Sequence, residues 1–377
     1  MIDDIFAFRH QLHAHPELSG KEAHTHDAIA TYLKRLNPTR LYEKVGGFGL
    51  IAVFGAENDE AVAFRADMDA LPVQETNKLS YSSENSGVAH KCGHDGHVAI
   101  LLRLAEMFSQ RQAENTLPHT AILGFQPAEE TGEGSARILR SDILQHYRIQ
   151  AFYGLHNLPG IPKGQLLFRY GTFAAASVGV VLHLQGRQTH AAFPEMGINP
   201  GLAAAEILQK TLKLNTSPLL TDDGFRQATL VGLRIGKAAF GTSAGEGELM
   251  FTLRAYTNTT MDTLKEEVLH IANEIAENHQ LVLSVDWREP FRATENTDAH
   301  TERLIRIAEK EGFGYTVADF PFRWSEDFAE YLLHYAGAFF GIGSGVDCPE
   351  LHHPAYDFPD EIIETAARFF ALLLTQK

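Results

Sequence analysis

Cysteine is nearly absent from this chain, which has 377 residues and only two thiols, Cys92 and Cys348. Two cysteines cannot form the disulfide framework that holds small secreted domains together, so that class of protein is excluded. Their scarcity fits a reducing compartment, or a thiol that is used as a metal ligand. We therefore expect a cytoplasmic protein.

Basic residues are also in deficit. The chain has 32 Lys and Arg against 48 Asp and Glu, which gives a formal net charge of −16. Because binding to phosphate groups relies on an excess of positive charge, we expect no nucleic acid and no membrane surface among the partners.

Long hydrophobic runs are missing as well. No stretch approaches the roughly 18 apolar residues that a membrane-spanning helix needs. The first six residues lack the basic start and the apolar run of a signal peptide. Hydrophobic residues nevertheless make up 44% of the chain, which is ample for a packed core, and the length favours two domains. The expectation is a soluble globular protein.

Hydrophobic periodicity in the first 175 residues indicates strands that alternate with helices. A helix over residues 3–36 breaks near His15 and Pro16, and a later helix covers 98–108 with Asp95 as its N-cap. Apolar runs of strand length form a pair at 48–55 and 61–66 and recur at 120–125 and 150–155. The alternation predicts an α/β domain whose mixed, mainly parallel sheet is covered by helices.

Between residues 176 and 289 the order changes to strand, helix, strand, strand, helix, strand, a compact α+β (βαββαβ) unit. After residue 290 the α/β pattern returns, with a strand at 337–342 and a helix at 325–334 whose acidic start is Ser325-Glu326-Asp327. We therefore predict a discontinuous larger domain, residues 1–175 and 290–377, with residues 176–289 as an inserted domain.

Metal-ligating side chains follow the predicted strands of the larger domain. They are Asp67 and Asp69, Glu129 and Glu130, His156, and His352 and His353, while Cys92 and His94 lie at the start of a helix. Ligands of open α/β sheets bind just beyond the carboxyl ends of the strands. Thiolate, imidazole and carboxylate groups together are typical of catalytic metal sites. The sequence therefore predicts a metal site at this edge of the sheet.

Several roles stay open at the level of single residues. A lone cysteine is usually a small buried hydrophobe, and only the neighbouring candidates favour Cys92 as a ligand. Asp67 and Asp69 alternate, so that one of them faces the site; Asp69 is the better candidate for holding a His ligand in one tautomer. His97 falls inside the predicted helix, where packing or a hydrogen bond is the expected role.

The motifs also resemble a known family. They are Arg9-His10-Gln11-Leu12-His13-Ala14-His15-Pro16-Glu17-Leu18, Arg65-Ala66-Asp67-Met68-Asp69-Ala70-Leu71-Pro72, Cys92-Gly93-His94-Asp95-Gly96-His97, Pro127-Ala128-Glu129-Glu130, Gly154-Leu155-His156-Asn157, His190-Ala191-Ala192-Phe193-Pro194, Ser325-Glu326-Asp327-Phe328 and Leu351-His352-His353-Pro354. In this order they resemble the co-catalytic metallopeptidases that include aminoacylases, carboxypeptidases and dipeptidases. The branch they resemble is the amidohydrolase branch of hippurate hydrolases and indole-acetyl-amino-acid hydrolases.

The resemblance implies a site for two divalent metal ions in the larger, catalytic domain. Its ligands would be Cys92 (bridging), His94, Glu130, His156 and His352, with Mn²⁺ or Zn²⁺ as the first candidates and Co²⁺ or Ni²⁺ as alternatives. Glu129 would be the general base, with Asp69 supporting a ligand. His190, in the inserted domain, would stabilise the oxyanion.

The implied reaction is hydrolysis of the amide bond of an N-acyl amino acid by a metal-activated water. The inserted domain would be a lid that also forms a homodimer. A dipeptidase, a carboxypeptidase, an N-acetyl-diaminopimelate deacetylase or a non-catalytic metal-binding relative are the alternatives.

Two segments depart from the family pattern. Gly241–Gly247 replaces an Asn-Val-Ile-Pro-like run, and Gln188-Thr189 replaces a Gly-Gly pair before His190. Both segments lie in the inserted domain, which the resemblance implies is the lid. The sequence therefore indicates the type of reaction more closely than it indicates the substrate.

Overall fold

The computed structural model describes residues 4–56, 60–217 and 224–376 of the chain. These residues form two compact units. The larger unit contains the residues up to 173, residues 295–319 and the residues from 327 onward, and the smaller unit contains residues 174–294 and 320–326. The chain therefore enters the smaller unit in the middle of the larger one, and a second short segment also belongs to it.

A mixed eight-stranded sheet forms the centre of the larger unit, with strand order β1-β2-β4-β3-β5-β16-β6-β15. Its strands are β1 (Arg40–Val45), β2 (Gly49–Phe54), β3 (Glu60–Asp67), β4 (Thr120–Gln126), β5 (Arg148–Pro159), β6 (Leu166–Phe168), β15 (Tyr315–Val317) and β16 (Gly337–Gly345). The predicted α/β class with a mixed sheet and helices is confirmed.

One predicted strand pair is wrong. β2 and β3 do not pair with each other, because β4 lies between them, antiparallel to β2 and parallel to β3. β3, β4, β5 and β16 form the parallel centre of the sheet. Their carboxyl ends therefore lie at one edge, as the sequence predicted.

The larger unit contains seven described helices. They are α1 (Ile5–Ala14), α2 (Ala23–Arg35), α3 (His94–Ala113), α4 (Gly134–Leu139), α7 (Asp298–Glu311), α8 (Ala329–Leu332) and α9 (Ile362–Thr375). All of them except α4 and α8 bury apolar side chains in one core with this sheet. The predicted break near Pro16 separates α1 from α2.

Two predicted helix starts are wrong. α3 begins at His94 with Gly93 as its N-cap, and Asp95 lies in the first turn. The predicted helix 325–334 is reduced to α8, so Ser325-Glu326-Asp327 precede it without forming its first turn. Two of the acidic residues that were expected at helix starts, Asp95 and Asp327, form ion pairs with buried arginines.

The smaller unit has the predicted order of strands and helices. Its antiparallel sheet has strand order β10-β12-β8-β13, and a two-stranded sheet pairs β11 with β9. The elements are β8 (Ala176–Gln185), β9 (Thr189–His190), α5 (Gly201–Leu212), β10 (Arg226–Ile235), β11 (Thr242–Ser243), β12 (Glu246–Ala255), α6 (Asn258–Asn278) and β13 (Val282–Phe291). The short strands β7 (Thr172–Ala174) and β14 (Thr294–Glu295) lie where the chain passes between the units. Among the described residues, no helix has the length and apolarity that crossing a membrane requires.

Candidate active site

The loop before α3 places Cys92 and His94 in the interior. Gly93 between them has φ 94°, and a Cβ at this position would lie 2.6 Å from the side-chain oxygen of Asn157. Only glycine adopts this left-handed conformation without strain and also leaves room for Asn157. The turn brings Cys92 Sγ to 3.4 Å from His156 Nε2 and leaves His94 fully buried.

Glu129 and Glu130 follow the end of β4, as predicted. The turn passes through Ala128, which has φ 53°. The backbone N–H of Glu130 donates to Asp69 Oδ2 at 3.1 Å. Oε1 of Glu130 lies 3.8 Å from Nε2 of His94 and 3.8 Å from Nε2 of His352. The adjacent Glu129 is buried and accepts a hydrogen bond from the backbone N–H of Asp327 at 3.3 Å.

His156 lies within β5, which is longer than predicted, and does not follow it. Its Nδ1 lies 2.8 Å from its neighbour's carbonyl oxygen, so Nδ1–H donates there and Nε2 carries the lone pair. Burial lowers the pKa of His156 well below its ordinary value. The imidazole is therefore neutral, which is the form that binds metal ions.

His352 and His353 differ in what their rings contact. His352 has φ 66° and its backbone N–H donates to the carbonyl of Lys91 at 2.8 Å, which ties its loop to the loop of Cys92. His353 accepts a hydrogen bond from the backbone N–H of Ala355 at 3.1 Å. Within the described ranges, His352 belongs to a cluster of candidate metal ligands and His353 does not.

Three overlapping clusters bring together all five predicted ligands and Glu129. In each cluster the donor atoms lie within 4.8 Å of one another. The clusters are Cys92–His94–His156, Cys92–Glu130–His352 and His94–Glu129–Glu130. An ion about 2.0–2.3 Å from each donor fits such spacings. Cys92, His94 and Glu130 each belong to two of these clusters, which suits a site for more than one ion.

The donor set fits a cation on a second ground. His94 Nε2 and Glu130 Oε1 are buried and have no hydrogen-bond partner among the described residues. A buried polar atom without a partner costs about 1–3 kcal/mol. Both atoms belong to the clusters, so a bound ion would remove this cost.

The charges at the site also favour a cation. Burial raises the pKa of Glu130 to about 7, although nearby His94 opposes the shift. Burial alone would lower the pKa of His94, but Asp67, Asp69 and Glu130 raise it to about 10. The surrounding carboxylates therefore stabilise positive charge at His94. A metal ion bound at His94 would supply this charge in place of the proton.

Asp69 and Asp67 hydrogen-bond to different imidazoles. Nδ1 of His94 lies 2.9 Å from the carbonyl oxygen of Asp69 and 3.3 Å from its Oδ1, so Nε2 faces the clusters. Asp67 Oδ1 lies 2.6 Å from Nδ1 of His97. His97 also accepts the backbone N–H of Asn157 at 3.3 Å on Nε2. The hydrogen-bonding role expected for His97 is observed.

His190 lies in the smaller unit at the end of β9. It is exposed, and its Nδ1 accepts the backbone N–H of Ala192 at 3.0 Å. β9 pairs with β11, where His190 is opposite Thr242, and Ala191 N–H donates to the carbonyl of Gly241. The segment that departs from the family pattern is therefore hydrogen-bonded to the strand of His190.

Asp327 is the residue of this region that the sequence prediction misplaced. Its carboxylate is buried and accepts hydrogen bonds from Arg65 Nη2 at 2.7 Å and Gln126 Nε2 at 2.8 Å. The sequence signal is Arg65, because an arginine inside an apolar strand requires buried carboxylates. This signal does not identify which carboxylates they are.

The sequence is similar to known hydrolases along nearly its whole length. Residues 63–376 match the profile described as Peptidase family M20/M25/M40. An N-acetyl-L-cysteine deacetylase of Bacillus subtilis is 32% identical, and the match covers 97% of this chain and 86% of that protein. An N-acetyldiaminopimelate deacetylase of Lacticaseibacillus paracasei is 30% identical, with 95% of this chain and 93% of that protein covered.

Solved structures show the same fold. The crystal structure of the Bacillus subtilis YxeP protein, a dinuclear metal-binding peptidase from the M20 family, has a TM-score of 0.84 at 26% identity, covering 99% of this chain and 98% of that chain. A tripeptidase of Staphylococcus aureus has a TM-score of 0.74 at 13% identity, covering 99% and 98% of the two chains, and shares the fold.

Proposed function

This chain belongs to peptidase family M20/M25/M40, and on that premise we propose that it hydrolyses the amide bond of small N-acyl amino acids. The family resemblance of the motifs is thereby confirmed, and the chain is a metal-dependent hydrolase. The observation that carries the proposal is the meeting of thiol, imidazole and carboxylate donors around buried atoms of His94 and Glu130 that have no hydrogen-bond partner among the described residues.

Five residues would hold two divalent ions: Cys92, His94, Glu130, His156 and His352. Cys92 would bridge, since it belongs to a cluster with His94 and His156 and to another with Glu130 and His352. Mn²⁺ or Zn²⁺ are the first candidates and Co²⁺ or Ni²⁺ the alternatives, because these ions accept mixed sulfur, nitrogen and oxygen ligands. When bound, the ions supply Lewis-acid polarisation of the amide carbonyl and acidify a water molecule.

Glu129 would move the proton in this reaction. Its buried carboxylate accepts the proton of the attacking water and donates it to the nitrogen of the leaving amine. Asp69 keeps the proton of His94 on Nδ1, and therefore keeps Nε2 available. We assign His190 the role of stabilising the oxyanion that forms on the carbonyl oxygen when water attacks the carbonyl carbon.

The named relatives support a small acyl group. An N-acetylcysteine deacetylase and an N-acetyldiaminopimelate deacetylase both remove an acetyl group from an amino acid, according to their names. N-acetyl amino acids are therefore the first substrates to test, and dipeptides and carboxypeptidase substrates are the alternatives. The segment Gly241–Gly247, which is hydrogen-bonded beside His190, is the place where substrate choice would differ from relatives.

The test is release of amino acid from a panel of N-acetyl, N-benzoyl and dipeptide substrates. The enzyme is assayed as purified, after chelation, and after chelation followed by Mn²⁺ or Zn²⁺. Release that chelation abolishes and one ion restores would support the proposal and identify the substrate class. Bound metal with no release from any substrate would favour a non-catalytic metal-binding protein.

A homodimer through the smaller unit completes the proposal. β10 is an edge strand of the sheet among the described residues, yet it exposes Leu230, Val231 and Leu233. The helix that packs beside it, α5, exposes Leu202 and Leu212. Monomeric proteins rarely leave an apolar sheet edge open to pairing. The smaller unit would be the lid and dimerisation domain that the resemblance implies.

A further inference from the structure

A buried hydrogen-bonded group, which we call the Arg65 cluster, lies beside Glu129 in the larger unit. It consists of Arg65, Asp67, Gln126 and Asp327, and each of these side chains is almost completely buried. Arg65 and Asp67 end β3 and Gln126 ends β4, and Asp67 and Gln126 are partners in the parallel register. Asp327 comes from a distant part of the chain, just before α8.

The guanidinium of Arg65 donates to all three other members. Its Nε donates to Gln126 Oε1 at 3.0 Å, its Nη1 to Asp67 Oδ2 at 2.6 Å and its Nη2 to Asp327 Oδ1 at 2.7 Å. A buried arginine that is paired in this way holds its partners in a fixed geometry, because any movement breaks a charge-assisted hydrogen bond.

The carboxylate of Asp327 is fixed from two further directions. Gln126 Nε2 donates to both of its oxygens at 2.8 Å, and the backbone N–H of Ser135 donates to Oδ2 at 3.0 Å. With the side chain held, the backbone of Asp327 is held as well. Its own N–H points to Glu129 and donates to Oε1 at 3.3 Å.

We propose that Asp327 is a positioning residue for the Glu129 carboxylate and acts through its own backbone N–H. This inference rests on the proposed function, in which Glu129 is the general base. A donor on one oxygen of a carboxylate base fixes the direction of the other oxygen, which takes the proton. The Arg65 cluster makes this donor immobile.

The same cluster reaches the ligands on its other side. Asp67, which Arg65 holds, binds Nδ1 of His97 and has Oδ2 3.7 Å from Nε2 of His94. The guanidinium of Arg65 therefore links the segment of Asp327, which contacts Glu129, to helix α3, which carries the candidate ligand His94. A 1 Å displacement of a catalytic group lowers a rate by roughly 100-fold, which explains the use of a rigid buried ion pair here.

The first variant is Asp327→Asn, which keeps the shape of the side chain and removes its charge. In this variant the side-chain NH₂ group of Asn would face the backbone N–H of Ser135 and the amide NH₂ of Gln126. All of these groups are hydrogen-bond donors, so they would repel one another and the backbone of residue 327 would shift. We expect kcat to fall roughly 10- to 100-fold, while KM and the content of bound metal stay near the wild-type values.

The decisive measurement is a double-mutant cycle with Glu129→Gln. If Asp327 acts through Glu129, Asp327→Asn should lower kcat by less than about twofold in the Glu129→Gln background, because coupled residues are not additive. Enzyme in excess over substrate keeps the slow turnover measurable. A matched structural control is Asn296→Ala, which removes buried hydrogen bonds to Arg169 and Phe339 away from the site.

The outcomes separate the two proposals. If Glu129→Gln alone leaves turnover unchanged, the proposed function fails. If Glu129→Gln lowers kcat strongly but Asp327→Asn lowers kcat by the same factor in both backgrounds, as expected for a purely structural role, the inference on Asp327 is wrong.

Gln126→Met keeps the inference testable if Asp327→Asn does not fold. This substitution removes the amide that donates to both Asp327 oxygens and keeps the ion pair of Arg65 with Asp327. We expect a smaller loss of kcat that also disappears in the Glu129→Gln background. A loss that persists there would overturn the inference.

Discussion

Glu129 and Glu130 are neighbours in the chain, but their side chains meet different partners. Glu130 approaches His94 and His352, whereas Glu129 receives the backbone N–H of Asp327. The positive φ of Ala128 turns the chain directly before the pair. Adjacent carboxylates with different surroundings can take different chemical roles. For Glu130 and Glu129 we propose the roles of ligand and base.

Replacing Glu129 by Gln tests this division of roles. Gln keeps the size of the side chain but cannot accept a proton, so kcat should fall by about 10²–10⁴ while two ions per chain remain bound. The measurements are turnover and metal content of the same samples. The control is Glu133→Gln at an exposed acidic residue just after the same turn, which should retain activity. Loss of metal from Glu129→Gln would contradict the assignment of Glu129 as the base.

The N-terminal helix carries a residue whose charge stabilises the fold. Burial alone would lower the pKa of His13, but Asp95 and Glu75 raise it to about 9. A pKa above the ordinary 6.5 means that the stabilisation is complete below about pH 6.5 and is lost as the pH rises to about 9. A rise of the pKa from 6.5 to about 9 corresponds to roughly 3 kcal/mol of stabilisation.

The comparison of wild type with His13→Gln measures this contribution. We expect the difference between their free energies of unfolding to shrink by about 3 kcal/mol between pH 6 and pH 9.5. Urea unfolding of metal-free protein across this range gives the values. A difference that stays constant over the range would show that His13 does not carry its proton in the folded state.

Single residues were predictable where the chemistry is local. Cys92, His94, Glu129, Glu130 and His156 stand near strand ends or a helix start, so sequence order alone brought them together. Asp327 was not predictable, because its partner Arg65 is 262 positions away and an acidic residue before a short helix also fits a helix start. Long-range pairing of buried charges leaves no local pattern.

At the scale of elements, the turn before α3 is a tightly constrained part of the site. Gly93 has φ 94° and faces the Asn157 side chain, which donates to Tyr356 Oη at 2.5 Å. Gly93→Ala combines left-handed strain of roughly 1–2 kcal/mol with overpacking of about 1–3 kcal/mol. It should lower the melting temperature and weaken metal binding, because Cys92 and His94 flank the glycine.

Gly87→Ala is the matched control for this substitution. Gly87 also has positive φ, 78°, but a Cβ there meets nothing within 4 Å. Thermal unfolding and metal titration of both variants separate backbone strain from loss of the site. If Gly87→Ala weakens metal binding as much as Gly93→Ala, the close approach of Gly93 to Asn157 is not what shapes the site.

The elements also show what periodicity leaves open. Apolar runs of strand length located β2, β3 and β4, but nothing in these runs reveals that β4 inserts between the other two. Strand partners are determined by packing across the whole sheet. β-propensity indicates only that a segment fits a pleated sheet surface, and it does not indicate which strand lies beside it. The prediction that the candidate ligands meet at one edge of the sheet does not depend on this strand order. It requires only that β3, β4, β5 and β16 are parallel, which they are.

At the scale of the whole molecule, exposed apolar residues on the edge strands of the smaller unit bear on the proposed homodimer. The two edges of the sheet in the smaller unit, β10 and β13, provide a matched pair of sites. Val231 on β10 is 63% exposed and Val282 on β13 is 69% exposed. Val231 is accompanied by Leu230 and Leu233 on its strand, whereas the other residues of β13 that are most exposed are mainly polar or charged.

A lysine at each position distinguishes the two edges. If β10 forms the homodimer, Val231→Lys should convert the protein to a monomer, because a buried, unpaired charge costs several kcal/mol at an apolar interface. Val282→Lys, which adds the same charge at equal exposure, should remain a dimer. Light scattering after size-exclusion chromatography gives the mass of each variant, and circular dichroism checks that both fold. A wild-type protein that is already monomeric, or a dimer that only Val282→Lys dissociates, would exclude β10 as the interface.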